Sequence, residues 1–216
     1  MWAAYTPPLR MMGPAGLPPA RRYTQCMADQ GPRVVWQCPW WRVEERSFDG
    51  PDGRRHIWYS AHRPDPRTVH MLGITQDGEV PLLRQWRAPL ETWVWELPAG
   101  LCDVKGEAPE DAARRELEEE TGWRAADVQL LFTGTVSPGL TDELFSAYLC
   151  LNLQQVSAGG GTGGERIEVS LVPLAELAPF LMAKYTAGEL VDSKIFAHLA
   201  LAEARLAELA ADEGKV

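Results

Sequence analysis

Short apolar or alternating runs, separated by turn residues, dominate the chain from Val34 onward. VVWQCPWWRV and RRHIWYSAH flank the turn FDGPDG, and this pattern predicts the strands of an N-terminal sheet. TVHMLGIT and EVPLLRQWR flank a second turn at residues 76–78 and predict a hairpin, while WVWELPAG predicts a following strand that stops at Pro98. LFSAYLCLNL and RIEVSLVPL predict two further strands.

Helical patterns occupy three other segments. APEDAARRELEEET is rich in strong helix formers, has Pro109 at the first helical position and two acidic residues in the first turn, and is followed by Gly122. These signals predict a helix from about Pro109 to Thr121, ended by the left-handed conformation that glycine favours. PLAELAPFLMAKYTAG and VDSKIFAHLALAEARLAELAAD predict two amphipathic helices, the second capped by Asp192.

The distribution of these patterns predicts three regions. Residues 1–33 hold many prolines without a sustained period, which predicts a flexible N-terminal arm. Residues 34–68 predict a small β-rich region. Residues 69–216 predict a larger domain, and the fold class expected for the whole is α/β, with a mixed β-sheet between α-helices.

Composition and charge narrow the class of protein. The chain has 216 residues, of which 45% are hydrophobic and 24% charged, enough for a full globular core. No apolar run approaches the ~18 residues of a spanning helix, and prolines interrupt the N-terminus, so a cytoplasmic location is expected. The net charge of -9 argues against nucleic-acid binding. The four cysteines lack the spacing of a zinc site or disulfide framework, which favours buried, reduced thiols.

The predicted helix at residues 109–121 carries an acidic stripe. Glu116, Glu119 and Glu120 are three and four positions apart and share one face, whereas Glu118 points away. An exposed like-charge pair costs only about 0.2–0.5 kcal/mol, so a simply solvated acidic face is one interpretation. The other is a site for a hard divalent cation, Mg²⁺ or Mn²⁺, which binds carboxylate oxygens held on a rigid element.

The residues around the stripe resemble the signature of the Nudix hydrolases, G-x5-E-x7-R-E-U-x-E-E-x-G-U, where U is bulky and apolar. The matching positions are Gly100, Glu107, Arg115, Glu116, Leu117, Glu119, Glu120, Gly122 and Trp123. From Glu107 onward the register agrees, but six residues separate Gly100 from Glu107 where the family has five. The resemblance implies a Nudix fold and a Nudix hydrolase domain over residues 69–216. It also implies a metal site of Glu116, Glu119 and Glu120, completed by Glu107 and Gly100.

Three further segments are similar to the ADP-ribose pyrophosphatase branch of that family. They are RQWR at residues 84–87, WELPAG at residues 95–100 and SPGLTDE at residues 137–143, with Pro138 sixteen positions after Gly122. The resemblance implies Mg²⁺-dependent cleavage of ADP-ribose to AMP and ribose 5-phosphate. GDP-mannose and UDP-sugar pyrophosphatases have similar segments, so a sugar-nucleotide substrate is the first alternative. A Nudix domain that binds a nucleotide without hydrolysing it, and so acts as a regulator, is the second.

A general base is expected in one of two loops. Glu143, after SPGLTD, is the first candidate, and Glu165, which follows the glycine run at residues 159–164, is the second. Asp142 and Glu168 are weaker candidates. The glycine run predicts either a mobile loop that closes over substrate or a slack hairpin connection between two strands. Arg115 lies one turn before Glu119, so it is expected to orient the stripe or to form an ordinary surface ion pair.

Substrate contacts and a partner are also implied by the resemblance. Arg84 and Arg87 are expected to hold the diphosphate or the terminal ribose, because guanidinium groups suit phosphate oxygens. The other candidates for substrate contact are Glu96, Arg63 and Trp58. Trp40 and Trp41 are adjacent and should point to opposite faces of one strand, which leaves one of them exposed unless a partner covers it. Together with the family's N-terminal sheets, this predicts a homodimer.

Overall fold

The computed structural model of the protein describes residues 31–213, and the predicted arm at residues 1–33 lies almost entirely outside this part of the chain. Within it the chain forms eleven strands, three α-helices and two short 3-10 helices, Ala88–Leu90 and Leu174–Glu176. The strands are β1 (Arg33–Gln37), β2 (Arg42–Asp49), β3 (Arg55–His62), β4 (Arg67–Thr75), β5 (Glu79–Arg87), β6 (Thr92–Glu96), β7 (Ala99–Leu101), β8 (Trp123–Thr135), β9 (Leu144–Gln155), β10 (Ile167–Pro173) and β11 (Leu190–Val191). The helices are α1 (Pro109–Thr121), α2 (Leu177–Thr186) and α3 (Lys194–Glu213).

The strands form three sheets. The N-terminal sheet is antiparallel with the order β1-β2-β3. The two larger sheets are mixed: one has the order β10-β5-β6-β11 and the other β7-β4-β9-β8, with β4 and β9 parallel. Helix α1 packs against β8 and β4 of the last sheet. This arrangement confirms the predicted α/β class and the β-rich region that precedes it.

The core lies on both faces of the sheet that contains β4 and β9, because successive side chains of a strand point to opposite faces. Val69 and Met71 of β4 pack with Leu117 of α1. Leu72 of β4 and Leu149 of β9 belong instead to a larger cluster with β5, β6, α2 and α3. These strands are buried on both faces, and they form the rigid layer against which α1 packs.

Two sequence predictions about connections are wrong, and one of the two alternatives for the glycine run is excluded. β4 and β5 are joined by a tight turn, in which Gly78 N–H donates to Thr75 O over 3.0 Å, but the two strands belong to different sheets and form no hairpin. β9 and β10 also belong to different sheets, so the glycine run does not connect paired strands. Trp40 and Trp41 lie in the connection between β1 and β2 rather than on one strand.

The described cysteines are free thiols, as predicted, but only two of the three are buried. Cys102 and Cys150 are buried, Cys38 is partly exposed, and all three are free thiols. Burial raises the pKa of the Cys150 thiol to about 12. Among residues 31–213, no helix combines the length and apolarity needed to cross a membrane. The cytoplasmic location stays a prediction.

Candidate active site

Helix α1 presents the predicted acidic stripe beside strand β7. Its first residue is Pro109 and its end is Gly122, which has the left-handed φ of 79° and donates its N–H to Glu118 O, as the sequence predicts. Glu120 is only 3% exposed, and Ala99 N–H of β7 donates to Glu120 Oε2 over 2.9 Å. The strand therefore fixes one glutamate of the stripe directly.

Gly100 allows β7 to pass against Glu116. A Cβ atom added at Gly100 would lie 1.9 Å from Glu116 Cδ, far inside van der Waals contact. Because the φ of Gly100 is not in the left-handed region, the requirement for glycine is one of space rather than of backbone conformation. A residue with any side chain at this position would displace the Glu116 carboxylate.

Arg115 lies among the acidic side chains. Its Nε and Nη2 donate to the two carboxylate oxygens of Glu107, each over 3.0 Å, and its Nη1 donates to Glu116 Oε1 over 2.7 Å. Nη1 also lies 3.5 Å from Glu119 Oε2. The hydrogen bonds to Glu107 and Glu116 raise the pKa of Arg115 further above its usual value. The extra residue in the preceding loop therefore leaves Glu107 in reach of Arg115.

Burial dominates the electrostatics of the stripe. It raises the pKa of Glu120 to about 8, and the charges of Glu116 and Glu165 add to this effect. Burial raises the pKa of Glu116 as well, again with a contribution from Glu165. A positive charge bound beside these carboxylates would stabilise their ionised form and lower their pKa values again.

The stripe fits a hard divalent cation by its ligand chemistry. Carboxylate oxygens of Glu116, Glu119 and Glu120 are the donors that Mg²⁺ prefers, and Gly100 leaves room beside them. Among residues 31–213, however, no group of three Asp, Glu, His or Cys side chains is close enough together to coordinate a metal ion. Arg115 pairs with Glu116 Oε1 and Glu119 Oε2, so the guanidinium engages one oxygen of each carboxylate.

A polar cleft of about 530 Å³ opens beside the stripe, a volume typical of a small-molecule site. The structure brings most of the predicted site residues together in it. Those that line the cleft are Arg63, Arg87, Glu96, Gly100, Arg115, Glu116, Glu119, Glu143 and Glu165. Both candidate bases therefore face the same space as Glu116 and Glu119 of α1, whereas Glu107 and Glu120 are not among the lining residues.

The predicted substrate-binding arginines in the cleft are held by neighbours. Arg87 Nε donates to Glu96 Oε1 over 2.7 Å, and its Nη2 donates to Glu96 Oε2, so the two form a bidentate pair. Arg63 stacks on Trp41, with its Cζ 4.3 Å from the ring centroid. Among the described residues, Arg63 Nε is buried without a hydrogen-bond partner and is available to a ligand.

Two predicted substrate contacts lie outside the cleft. Arg84 pairs with Glu168, Nη1 to Oε2 at 3.3 Å, and with Glu189, Nε to Oε2 at 3.2 Å. Its guanidinium also lies over Trp93, 5.3 Å from the ring centroid. Trp58 is 52% exposed on the N-terminal sheet. The structure thus joins Arg84 and Glu168 in a separate ion pair on the sheet β10-β5-β6-β11.

Trp58 instead helps to hold the loop that carries Glu143. Its indole N–H donates to Gly139 O over 2.8 Å. In the same contact Ala61 N–H of β3 donates to Leu140 O over 2.8 Å, and His62 Nδ1 lies 2.8 Å from Asp142 Oδ2. The N-terminal sheet therefore positions one wall of the cleft, and Asp142 pairs with His62.

Several lining residues were missed by sequence reasoning. Thr68 and His70 of β4, with Asp192 and Lys194 before and at the start of α3, belong to the cleft. Asp192 was predicted only as a helix cap, and its Oδ1 does accept the Lys194 N–H over 2.9 Å. Lys194 Nζ also bonds Asp192. The alternation along β4 could have flagged His70, since a histidine stands there among apolar residues.

His198 packs in the core. It is fully buried in α3, and its ring stacks on His70 at 5.8 Å and on Phe145 at 5.9 Å between centroids. Burial lowers the pKa of His70 to about 3, and burial also lowers the pKa of His198. Both imidazoles are therefore neutral at pH 7, and His70 adds no positive charge to the cleft.

The fold is an α/β domain with a polar cleft beside an acidic helix, and comparison with known proteins gives the family. Residues 64–194 match the NUDIX domain family. The chain belongs to this family. It is 35% identical over 126 residues to the ADP-ribose pyrophosphatase of Mycobacterium tuberculosis, a match that covers 58% of this chain and 59% of the relative.

The chain is also similar to a second relative and to a solved structure. The chain is 36% identical over 125 residues to the GDP-mannose pyrophosphatase of Citrobacter koseri, covering 53% of this chain and 61% of that protein. The matches thus span less than two thirds of the length of either relative. A solved structure, described as the crystal structure of an ADP compounds hydrolase, has a TM-score of 0.69 at 23% identity and covers 89% of this chain and 98% of that one. That likeness shows the fold.

Proposed function

We propose that the protein is a Mg²⁺-dependent pyrophosphohydrolase that cleaves ADP-ribose to AMP and ribose 5-phosphate. The main support for this proposal is that one cleft is lined by several of the parts that the reaction needs. They are Glu116 and Glu119 of α1, the two candidate bases and Arg87. The similarity to the ADP-ribose pyrophosphatase of Mycobacterium tuberculosis supports this substrate. The polar lining suits a diphosphate, which needs both a cation and guanidinium groups.

The metal would be held by Glu116, Glu119 and Glu120, with Mn²⁺ as a substitute for Mg²⁺. When bound, the ion supplies positive charge that stabilises the diphosphate during attack by water. Gly100 gives Glu116 the space to act as a ligand, and Ala99 N–H holds Glu120 in place. Glu107 would act through Arg115, since both of its carboxylate oxygens are bonded to that guanidinium.

Of the two candidate bases, we favour Glu165 over Glu143. The role requires a carboxylate that accepts a proton from the attacking water close to the metal ligands. The charge of Glu165 contributes to the raised pKa values of both Glu116 and Glu120, which supports its closeness to the stripe. Arg87, paired with Glu96, and Arg63 would hold the diphosphate and the remainder of the substrate.

The first experiment measures product formation from ADP-ribose, GDP-mannose and UDP-glucose with Mg²⁺, beside a Glu120→Gln variant. Rapid AMP release from ADP-ribose, reduced at least about 100-fold in the variant, is the expected outcome. Glutamine has the size of glutamate and can still accept the Ala99 hydrogen bond, so the variant should remain folded. Circular dichroism and thermal unfolding of both proteins check this.

A sugar-nucleotide pyrophosphatase is the second candidate, favoured by the similarity to the GDP-mannose pyrophosphatase of Citrobacter koseri. Faster turnover of GDP-mannose or UDP-glucose would keep the chemistry and replace the substrate. Binding of a nucleotide by calorimetry without turnover, in either Mg²⁺ or Mn²⁺, would instead identify a non-catalytic regulator and overturn the proposal.

The proposed assembly is a homodimer that pairs through the N-terminal sheet. All five residues of β1 are exposed, and Val34, Trp36, Ile57, Trp58 and Tyr59 are each between 45% and 56% exposed. An apolar surface of this kind, next to polar neighbours, is typical of a protein interface. The contact of Trp58 with the loop that carries Glu143 would connect such an interface to the cleft.

A further inference from the structure

The glycine run after β9 touches the C-terminal end of α1. Gly160 N–H donates to Glu120 O over 2.8 Å, and Gly161 N–H donates to Glu119 O over 3.0 Å. Carbonyls in the last turn of a helix have no partner within the helix, so these two bonds satisfy acceptors that are otherwise left open. The two residues whose carbonyls are bound are themselves proposed metal ligands.

This contact needs glycine because two backbones approach closely. A Cβ at Gly159, whose φ is 68°, would lie 2.3 Å from the carbonyl carbon of Thr121 and 2.7 Å from Glu120 O. A Cβ at Gly122 would likewise lie 2.3 Å from Ser157 O. Either substitution would therefore push the loop and the end of α1 apart. Residues 159–161 are called the glycine clasp below.

The clasp leads directly to Glu165. Thr162 N–H donates to Glu165 Oε2 over 2.8 Å, and both residues line the cleft. A Cβ at Gly161, whose φ is 75°, would lie 2.4 Å from Glu165 Oε2 and 2.9 Å from Ile167 Cδ1. The Glu165 carboxylate is therefore seated over Gly161 and held by the next amide.

We infer that the glycine clasp positions Glu165 relative to Glu119 and Glu120 by joining its loop to the end of α1. The inference rests on the proposed function, in which Glu165 is the base and the two glutamates hold the metal. The second half of the run differs, because a Cβ at Gly163 or Gly164 meets nothing within 4 Å. Within the run, only Gly159 and Gly161 of the clasp leave no room for a Cβ, and the clasp amides bond α1, so the run is anchored at one end.

The test uses Gly161→Ala, because the atoms that the new methyl meets belong to side chains and the variant should fold. Steady-state hydrolysis of ADP-ribose with Mg²⁺ is measured for wild type, Gly161→Ala, Glu165→Gln and the double variant. We expect Gly161→Ala to lower kcat about 10- to 100-fold with KM changed by less than about threefold. Gly163→Ala is the matched control, since its φ of 66° is left-handed like that of Gly161 while its Cβ meets open space, and it should retain wild-type kcat.

The double variant separates positioning from general damage. If Gly161 acts through Glu165, adding Gly161→Ala to Glu165→Gln should cause no further loss. An equal loss in both backgrounds would show a merely structural role and overturn the inference, as would full activity of Glu165→Gln.

A second experiment does not depend on catalytic activity, so it tests this inference separately from the proposed function. Amide hydrogen exchange in the wild-type protein should be at least about 10-fold slower at Gly160 and Gly161 than at Gly163 and Gly164. Equal rates would show that the clasp does not form in solution. If no substrate is hydrolysed, the proposed function fails, while the exchange rates still decide whether the loop is joined to α1.

Discussion

The missing side chain at Gly100 decides where the Glu116 carboxylate lies, and this gives a prediction at the scale of one residue. In Gly100→Ala the new Cβ would overlap Glu116 Cδ, from which it is 1.9 Å away, so Glu116 must turn out of the stripe. We expect kcat to fall about 100-fold, the loss typical of one misplaced electrostatic group. Hydrolysis assays with Mg²⁺ measure it.

Gly139→Ala is the matched control for this substitution. Its Cβ would meet only Trp58 Cζ2 at 3.9 Å, an ordinary contact, and its φ is not left-handed. Both variants therefore remove one glycine at a position without backbone strain, and only Gly100→Ala crowds a glutamate. Equal activity of the two variants would contradict the assignment of Glu116 as a ligand that depends on Gly100.

A second residue-scale prediction concerns acid. Burial, together with the charges of Lys194 and His198, lowers the pKa of His70 from 6.5 to about 3. The unfolded state thus binds the proton first, so stability is complete above pH 6.5 and is lost as pH falls towards 3. By pH 4.5 His70 alone should cost on the order of 2 kcal/mol.

Urea unfolding at pH 7 and pH 4.5 checks the effect of His70. The variant His70→Gln removes the titrating group, so its loss of stability between the two pH values should be smaller than that of the wild type. His56→Gln is the control, because His56 is exposed and bonds Asp52 at the surface. A wild-type loss that His70→Gln does not reduce would be evidence against this role of His70.

At the scale of elements, Arg115 joins the loop after β7 to α1. It bonds both oxygens of Glu107, donates to Glu116, and reaches Leu101 O over 3.3 Å. Arg115→Lys keeps the charge but loses the planar fork that spans these partners. We expect a roughly 10- to 100-fold loss of kcat, as for other residues that orient metal ligands.

Arg124→Lys is the control for this comparison. Arg124 forms a bidentate pair with Glu118, on the part of α1 that faces away from the stripe, and it is 60% exposed. Exposed pairs contribute about 0–1 kcal/mol, so this variant should keep both activity and stability. A matching loss in Arg124→Lys would indicate damage to α1 rather than to the arrangement of its ligands.

The same elements show what the sequence could predict about the fold. Helix α1 was predicted with its observed bounds because its start at Pro109 and its end at Gly122 are signalled by neighbouring residues. The pairing of β4 could not be predicted in that way. Its partner is β9, far along the chain, in a parallel register that aligns Arg67 with Leu144. The turn at residues 76–78 signals a reversal but not which strands share hydrogen bonds.

The residues of the site also divide into those that local sequence signals predict and those that depend on long-range packing. The glutamates of α1 follow from helical spacing, and Gly100 follows from the signature. The partners of Arg84 could not be predicted, because Glu168 and Glu189 reach it only through the pairing of β10 with β5 and the packing of α2. Thr68, His70 and Lys194 were missed since each becomes part of the cleft only when β4 and α3 come together.

At the scale of the whole molecule, the cleft draws residues from separate parts of the chain. Arg63 follows the N-terminal sheet, Glu96 ends β6, Glu116 lies on α1, and Lys194 begins α3. The N-terminal sheet is also bonded to the loop before Glu143 through Trp58 and Ala61. A change in how that sheet is held is therefore transmitted to one wall of the cleft.

This connection makes the proposed dimer testable. Ile57 is 56% exposed on β3, and Ile57→Glu would bury a charge in the proposed apolar interface. Such burial without a partner is strongly unfavourable, so the dimer dissociation constant should rise at least about 100-fold. Met182→Glu introduces the same charge on α2, at a residue that is 50% exposed, and should leave the dimer intact. Sedimentation velocity over a range of protein concentrations measures both variants. A wild-type protein that sediments as a monomer throughout, or a dimer that Ile57→Glu does not weaken, would assign the exposed sheet another role.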